Sequence, residues 1–196
     1  MFSWDITYLP TLVTGQYFYL HLFLDLFSRK VVGWQVYETE SSALASQVMC
    51  DICLRESIAP GQVVLHSDNC SPMKGAAMLA TLQALGVMPS LSRPSVSNDN
   101  PYSESIFKTL KYRPDYPARA FGTLLGARQW VGAFVNWYNL KHRHSAIRFV
   151  TPHQRHVGQD GGCWPSARRS MKRPKPPIPS AGAAPRATGS PCASST

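Results

Sequence analysis

Apolar residues fall along this chain in short blocks with two different rhythms. Phe2-Ser3-Trp4-Asp5-Ile6-Thr7-Tyr8 alternates, so residues 2–9 predict a strand with Trp4, Ile6 and Tyr8 on one face and Ser3, Asp5 and Thr7 on the other. Residues 16–26 are almost wholly aromatic or apolar and predict a second strand; Ser28-Arg29 gives a tight turn, and Lys30 to Glu38 a third strand in an antiparallel meander. The period then lengthens. Ser41-Ser42 can cap a helix whose Leu44, Val48 and Ile52 recur every four positions, and Pro60-Gly61 ends that segment. Gln62 to Ser67 predicts a fourth strand. Ser71 followed by Pro72 opens another helix, with Met78, Leu79, Leu82 and Leu85 as its buried stripe and Gly86 as its stop. Val87 to Leu91 predicts a fifth strand. After a turn-rich stretch, a helix runs from Pro101 to about Tyr112 and is broken by Pro114 and Pro117. The last helix, from about Thr123 to Lys141, places Leu124, Val131, Phe134 and Tyr138 on one face. Three meandering strands followed by strands alternating with helices predict a mixed α/β sheet.

Residues 161–196 differ in kind. Of 36 residues 17 are Pro, Gly or Ser, and Trp164 is the one aromatic, so the segment cannot bury enough apolar surface to offset its ordering entropy and reads as disordered. No apolar run reaches the roughly 18 residues a membrane span needs, and the first residues lack the basic stretch of a signal peptide. Five irregularly spaced cysteines do not make a disulfide framework, which favours a reduced, cytoplasmic setting.

The net charge of +9 is unevenly spread. Residues 1–103 carry five basic and eight acidic residues, residues 104–155 nine and two, and residues 156–196 six and one. A basic segment next to acidic strands suits a polyanionic substrate, or else a solvated basic helix face.

Three acids stand out. Asp5 lies inside the first strand, Asp68 closes the fourth at the carboxyl edge of the sheet, and Glu104 lies just inside the helix that starts at Pro101, with 35 residues between it and Asp68. Acids embedded in apolar strands cost free energy unless something pairs with them, and hard divalent cations take such oxygen ligands. Singly, Asp68 in Ser67-Asp68-Asn69 also fits ordinary turn chemistry. Glu104, Lys108 and Lys111 share one helix face, either as an exposed ion pair or as a face whose lysines hold phosphates; Ile106 and Leu110 point inward. Other candidates are weaker. Cys50-x-x-Cys53 has zinc-like spacing without a second pair, Asp25 adjoins a turn, and His66 suits orienting the loop after its strand better than ligating a metal. His142 and His144, between Lys141 and Arg143 at a helix end, suit phosphate contact or capping better than a metal.

Taken together these segments resemble the catalytic core of insertion-sequence transposases, the branch related to retroviral integrases. The resemblance covers about residues 4–155. It is carried by Trp4-Asp5-Ile6-Thr7-Tyr8, Asp25-Leu26-Phe27-Ser28-Arg29 with Val32-Gly33-Trp34, His66-Ser67-Asp68-Asn69, Ser95 to Ser105, Phe107 to Lys111, Trp137-Tyr138-Asn139, His144-Ser145 and Thr151-Pro152. It implies an RNase H-like fold, a mixed five-stranded sheet flanked by helices with a disordered C-terminal tail. Residues 1–155 would form the catalytic core and 156–196 the tail. It also implies Asp5, Asp68 and Glu104 as an acidic triad holding Mg²⁺ or Mn²⁺, two ions in all, and phosphoryl transfer that cuts an element's ends and joins them to target DNA. Lys108 and Lys111 match DNA-contacting positions, and Lys141, Arg143 and His144 are further candidates. The expected partners are element-end and target DNA, further copies of the chain on that DNA, and a separate chain for end recognition, in a cytoplasmic, nucleoid-associated setting without a membrane.

Three departures bear on activity. Cys70 stands where the family has glycine after Ser-Asp-Asn, which would strain the loop by roughly 1–3 kcal/mol if that position needs positive φ. The chain starts four residues before Asp5, without the family's helix-turn-helix region. Similarity ends near Asp160, where the Pro/Arg-rich tail reads as an out-of-frame translation, and translating the other two frames after codon 160 tests this. Two alternatives to an active strand-transfer core stay open: a truncated remnant that binds DNA or intact subunits, and an RNase H-like nuclease.

Overall fold

The computed structural model describes residues 1–68, 71–92, 100–117 and 120–160. Five strands form one sheet, β1 (Phe2–Pro10), β2 (Tyr17–Asp25), β3 (Val31–Tyr37), β4 (Val64–Ser67) and β5 (Met88–Leu91). Their order across the sheet is β3-β2-β1-β4-β5. The meander β1-β2-β3 is antiparallel, while β4 runs parallel to β1 and β5 parallel to β4. The helices are α1 (Ser42–Arg55), α2 (Ser71–Lys74), α3 (Ala76–Leu85), α4 (Pro101–Lys111), α5 (Leu124–Leu140) and α6 (Pro152–His156), with a 3-10 turn at Ser145–Ile147.

The sheet is covered on both faces, which explains why β2 does not alternate in sequence. On one face Trp4 and Phe23, stacked at 5.6 Å, join Met49, Ile52, Met78 and Leu82 of α1 and α3. On the other Leu20, Leu22 and Leu24 pack against Ile106 and Leu110 of α4 and Val131, Phe134 and Tyr138 of α5. His21 sits among the first group with both ring nitrogens buried and unpaired, and burial pulls its pKa down to about 4, so it is a neutral core residue. Gly33 lets α1 approach β3, since a Cβ there would meet Ile52 Cδ1.

The helix predicted after Ser71 is two. Gly75 separates α2 from α3, and a Cβ at Gly75 would meet the side chain of Ser42. Leu79, expected in the buried stripe, is exposed; the short α3 packs through Met78 and Leu82 instead. α6 is too short to show a helical period, but Thr151 and Gln154 cap it reciprocally. His156 then ties it down, with Nε2 2.9 Å from Glu56 Oε2 and Nδ1 3.2 Å from Ser28 Oγ. Asn139 of α5 holds the β3 edge by accepting from Val31 N–H at 2.9 Å and donating to Val31 C=O at 3.0 Å. No helix of the described residues is long and apolar enough to cross a membrane. The expected disordered segment, 161–196, lies outside the described residues.

Candidate active site

Strand order brings the acids together. β1 and β4 are parallel neighbours with Trp4 opposite Ser67, so Asp5 and Asp68 are the next residues along two adjacent strands. Asp5 is on the same face as Ser3 and Thr7, the side covered by α4 and α5. The start of α4 is fastened to that face by Ser3, whose Oγ donates to Asn100 Oδ1 at 2.6 Å and lies 2.9 Å from Ser103 Oγ. All three are buried. Ser103 precedes Glu104, so this polar seam sets where the glutamate leaves the helix. Glu104 itself is exposed, as are Lys108 and Lys111 further along α4.

The acids also act on one another electrostatically. Burial pushes the Asp5 carboxyl up to about 7, and the negative charges of Asp68 and Glu104 push the same way. The Ile6 N–H, donating to Asp5 Oδ1 at 2.7 Å, only partly opposes this. Asp68 is oriented by Ser92, just past β5, whose Oγ donates to Asp68 Oδ1 at 2.9 Å. Asp5, Asp68 and Glu104 thus come from three different parts of the fold, β1, the end of β4 and α4. As they stand, no three Asp, Glu, His or Cys side chains among the described residues are gathered closely enough to make a ready-formed metal group. A cation that keeps several waters does not require one.

The remaining candidates separate clearly. Asp25 is structural; it accepts from the N–H groups of Phe27 and Ser28 and from Ser28 Oγ, closing the β2–β3 turn. Cys53 is buried in the α1 core and Cys50 half-buried, both as free thiols. His66 pairs across strands with Ser90 Oγ at 3.1 Å. His142 stacks on Tyr138 at 5.3 Å, and burial then Arg113 lower its pKa. His144 is brought beside Tyr102 and Ser105 of α4, in the same cavity wall. Lys141 and Arg143 are exposed at the end of α5. Cys70 and residues 93–99 lie outside the described residues. Ser3, Asn100, Ser103 and Ser92 escape sequence reasoning, which weighs acids and bases; their one sequence signal is adjacency, Ser3 two before Asp5 and Ser103 one before Glu104.

A mixed sheet of this order, with acids on its two central strands and a third on the covering helix, is an α/β core of the RNase H-like kind. The chain belongs to the integrase core family: two models described as integrase core domain match residues 1–97 and 85–152. It is 33% identical over 149 residues to the transposase for insertion sequence element IS904 of Lactococcus lactis, covering 76% of this chain and 57% of that protein. It is 33% identical over 110 residues to transposase InsF for insertion sequence IS3A of Escherichia coli, covering 55% of this chain and 36% of that protein. The chain thus spans roughly a third to just over half of the length of these relatives. A chain in the cryo-EM structure of the simian T-cell lymphotropic virus intasome in complex with PP2A regulatory subunit B56 gamma superposes with a TM-score of 0.64 at 17% identity. That match covers 95% of this chain and 59% of the other, and speaks for the fold.

Proposed function

We propose that this chain is the catalytic core of a DNA transposition enzyme, in which Asp5, Asp68 and Glu104 hold divalent metal and position the phosphates of DNA for strand transfer. The observation that carries the reading is the parallel register of β1 and β4, Trp4 opposite Ser67, which makes Asp5 and Asp68 neighbouring acids on a part-buried sheet face, with burial raising the Asp5 carboxyl to about 7. Such a site costs free energy until a cation offsets it. Mg²⁺ or Mn²⁺ held there, two ions in the arrangement proposed, would supply Lewis-acid activation of the attacking oxygen and neutralise charge on the scissile phosphate. The protein's share is placement. β1 and β4 hold Asp5 and Asp68 side by side, the Ser3–Asn100–Ser103 seam sets Glu104, and Ser92 fixes the Asp68 carboxylate. Lys108 and Lys111, exposed on the helix of Glu104, hold backbone phosphates, with the cations Lys141 and Arg143 and the donor His144 as a second DNA-contacting group.

In the reaction proposed, the 3′-hydroxyl of the element end attacks a target phosphodiester. A new phosphorus–oxygen bond forms, and the target's own 3′-oxygen leaves and takes up a proton. The partners on this reading are end and target DNA, further copies of the chain, and a separate end-recognition chain, in the cytoplasm at the nucleoid. Incubation with Mg²⁺ or Mn²⁺, pre-cut element-end DNA and a target plasmid, beside Asp68→Asn, tests it. Joining by the wild type alone supports the reading. DNA binding without joining assigns the chain to the remnant class, and cutting of RNA–DNA hybrids without joining assigns it to the nuclease class.

A further inference from the structure

The β2–β3 turn delivers a cation that the acidic site does not use. Arg29 lies in the left-handed region, at φ 64°, and its N–H donates to Asp25 C=O at 2.8 Å, so the turn fixes the direction in which the side chain leaves. The guanidinium lies over the ring of Tyr102 in α4, 3.8 Å from the centroid. Its Nε and Nη1 are buried and have no hydrogen-bond partner among the described residues. Buried donors on a permanent charge are costly when unpaired, so this arrangement calls for an acceptor from outside.

Space for one is present. Arg29, Tyr102, Ser105, Tyr138 and His144 line a cavity of about 240 Å³ between the β2–β3 turn, α4 and the end of α5. None of its described lining residues is a carboxylate. Tyr138 cannot serve as an internal counter-ion: burial pushes its phenol up to about 12, although Arg29 pulls the other way. Burial, His142 and Arg29 all lower the pKa of His144, which favours its neutral form. Its Nδ1 accepts from Ala146 N–H at 3.2 Å, which puts the ring proton on Nε2 as a donor. A charged donor, a neutral donor and two aromatic walls suit one phosphate with the sugar or base attached to it. Tyr102 and Ser105 flank Glu104 in α4, so the cavity adjoins the helix that carries that acid.

We propose that Arg29 is a DNA-phosphate ligand and that the cavity beneath it seats one nucleotide of the strand entering the acidic site. This rests on the transposition reading and adds a site to it. The test uses the full chain and a labelled single-stranded oligodeoxynucleotide of mixed sequence, with binding followed by anisotropy over a salt series and thermal melting recorded for every variant. Arg29→Gln is expected to weaken binding about tenfold and to lower the slope of log K against log salt by about one, at unchanged or raised melting temperature. Arg29→Lys should recover part of the affinity. Ser105→Glu, which leaves Arg29 intact but gives it an internal carboxylate, should weaken binding similarly and serves if Arg29 variants do not fold. If Arg29→Gln and Ser105→Glu bind like the wild type while a Lys108→Ala/Lys111→Ala variant is weakened, this proposal fails and the transposition reading stands. If the wild type binds no DNA, both fail. Inorganic phosphate at millimolar concentration is the remaining arm. Displacement of the oligonucleotide by phosphate alone, equal in wild type and Lys108→Ala/Lys111→Ala, makes the cavity a free-phosphate site and overturns the assignment to DNA.

Discussion

Asp25 and Glu56 are met by side-chain donors, whereas Asp5 feels two like charges. In the first region Ser28 Oγ donates to Asp25, and Lys30 Nζ at 2.8 Å and His156 Nε2 at 2.9 Å both reach Glu56. Burial alone would raise the Glu56 carboxyl, but these two partners outweigh it and hold it below its ordinary value. In the second region burial, Asp68 and Glu104 all raise Asp5, against a single backbone N–H. Burial raises both Asp5 and Glu56; at Asp5 it prevails over one backbone donor, and at Glu56 Lys30 and His156 prevail over it. What separates them is whether the fold supplies the counter-charge. A satisfied acid fastens one element to another, here α6 to the end of α1 and the β2–β3 turn. An unsatisfied acid holds free energy that a bound cation can release.

The largest effect expected is on chemistry. Asp68→Asn or Glu104→Gln should lower strand joining by more than about 100-fold while the melting temperature barely moves. Asp5→Asn should lose joining to the same degree, yet gain about 1 kcal/mol or more of metal-free stability at neutral pH, because it removes a charge that its neighbours oppose. Denaturant unfolding in EDTA decides this, and a less stable variant would erase the contrast between the two regions.

Glu56→Gln should behave in the opposite way. It leaves Lys30 and His156 without their anion and should cost about 1–3 kcal/mol of stability, with joining per folded molecule unchanged. This difference should depend on pH. The folded Glu56 carboxyl sits below its ordinary 4.5, so its contribution is complete above that value and is lost as pH falls through the lower, folded value. The melting-temperature gap between wild type and Glu56→Gln should therefore be constant near neutrality and close below pH 4.5. Ser92→Ala should sharpen the role of the Asp68 carboxylate: a loss of joining of about tenfold with DNA affinity retained. The smallest effect belongs to Lys108→Ala, which should lower the salt slope of DNA binding by about one and leave stability unchanged.

Much of this was legible in the chain. The two-residue rhythm of residues 2–8 places Asp5 on the face of Ser3 and Thr7, and the structure keeps it there. Ile106 and Leu110 are buried as their spacing requires, leaving Glu104, Lys108 and Lys111 outward on α4. The division of the Ser71–Leu85 region was not legible, because Gly75 is demanded by contact with Ser42, about thirty residues away in sequence. The same holds for His156, whose partners Ser28 and Glu56 come from distant elements. Neither the unpaired nitrogens of Arg29 nor the cavity beneath them has any local sequence sign.

The sequence by itself determined which residues are acidic, which face of each strand or helix they occupy, and the family to which the ordered motifs belong, because backbone periodicity is local. Only the tertiary structure decided that β4 lies beside β1, so that Asp5 and Asp68 become neighbours, that Ser3 draws in the helix of Glu104, and that Glu56 finds counter-charges where Asp5 finds like charges. Coulomb energies and hydrogen bonds depend on separation in space, and separation between distant segments is fixed by the packing of the two cores and not by any one of their residues.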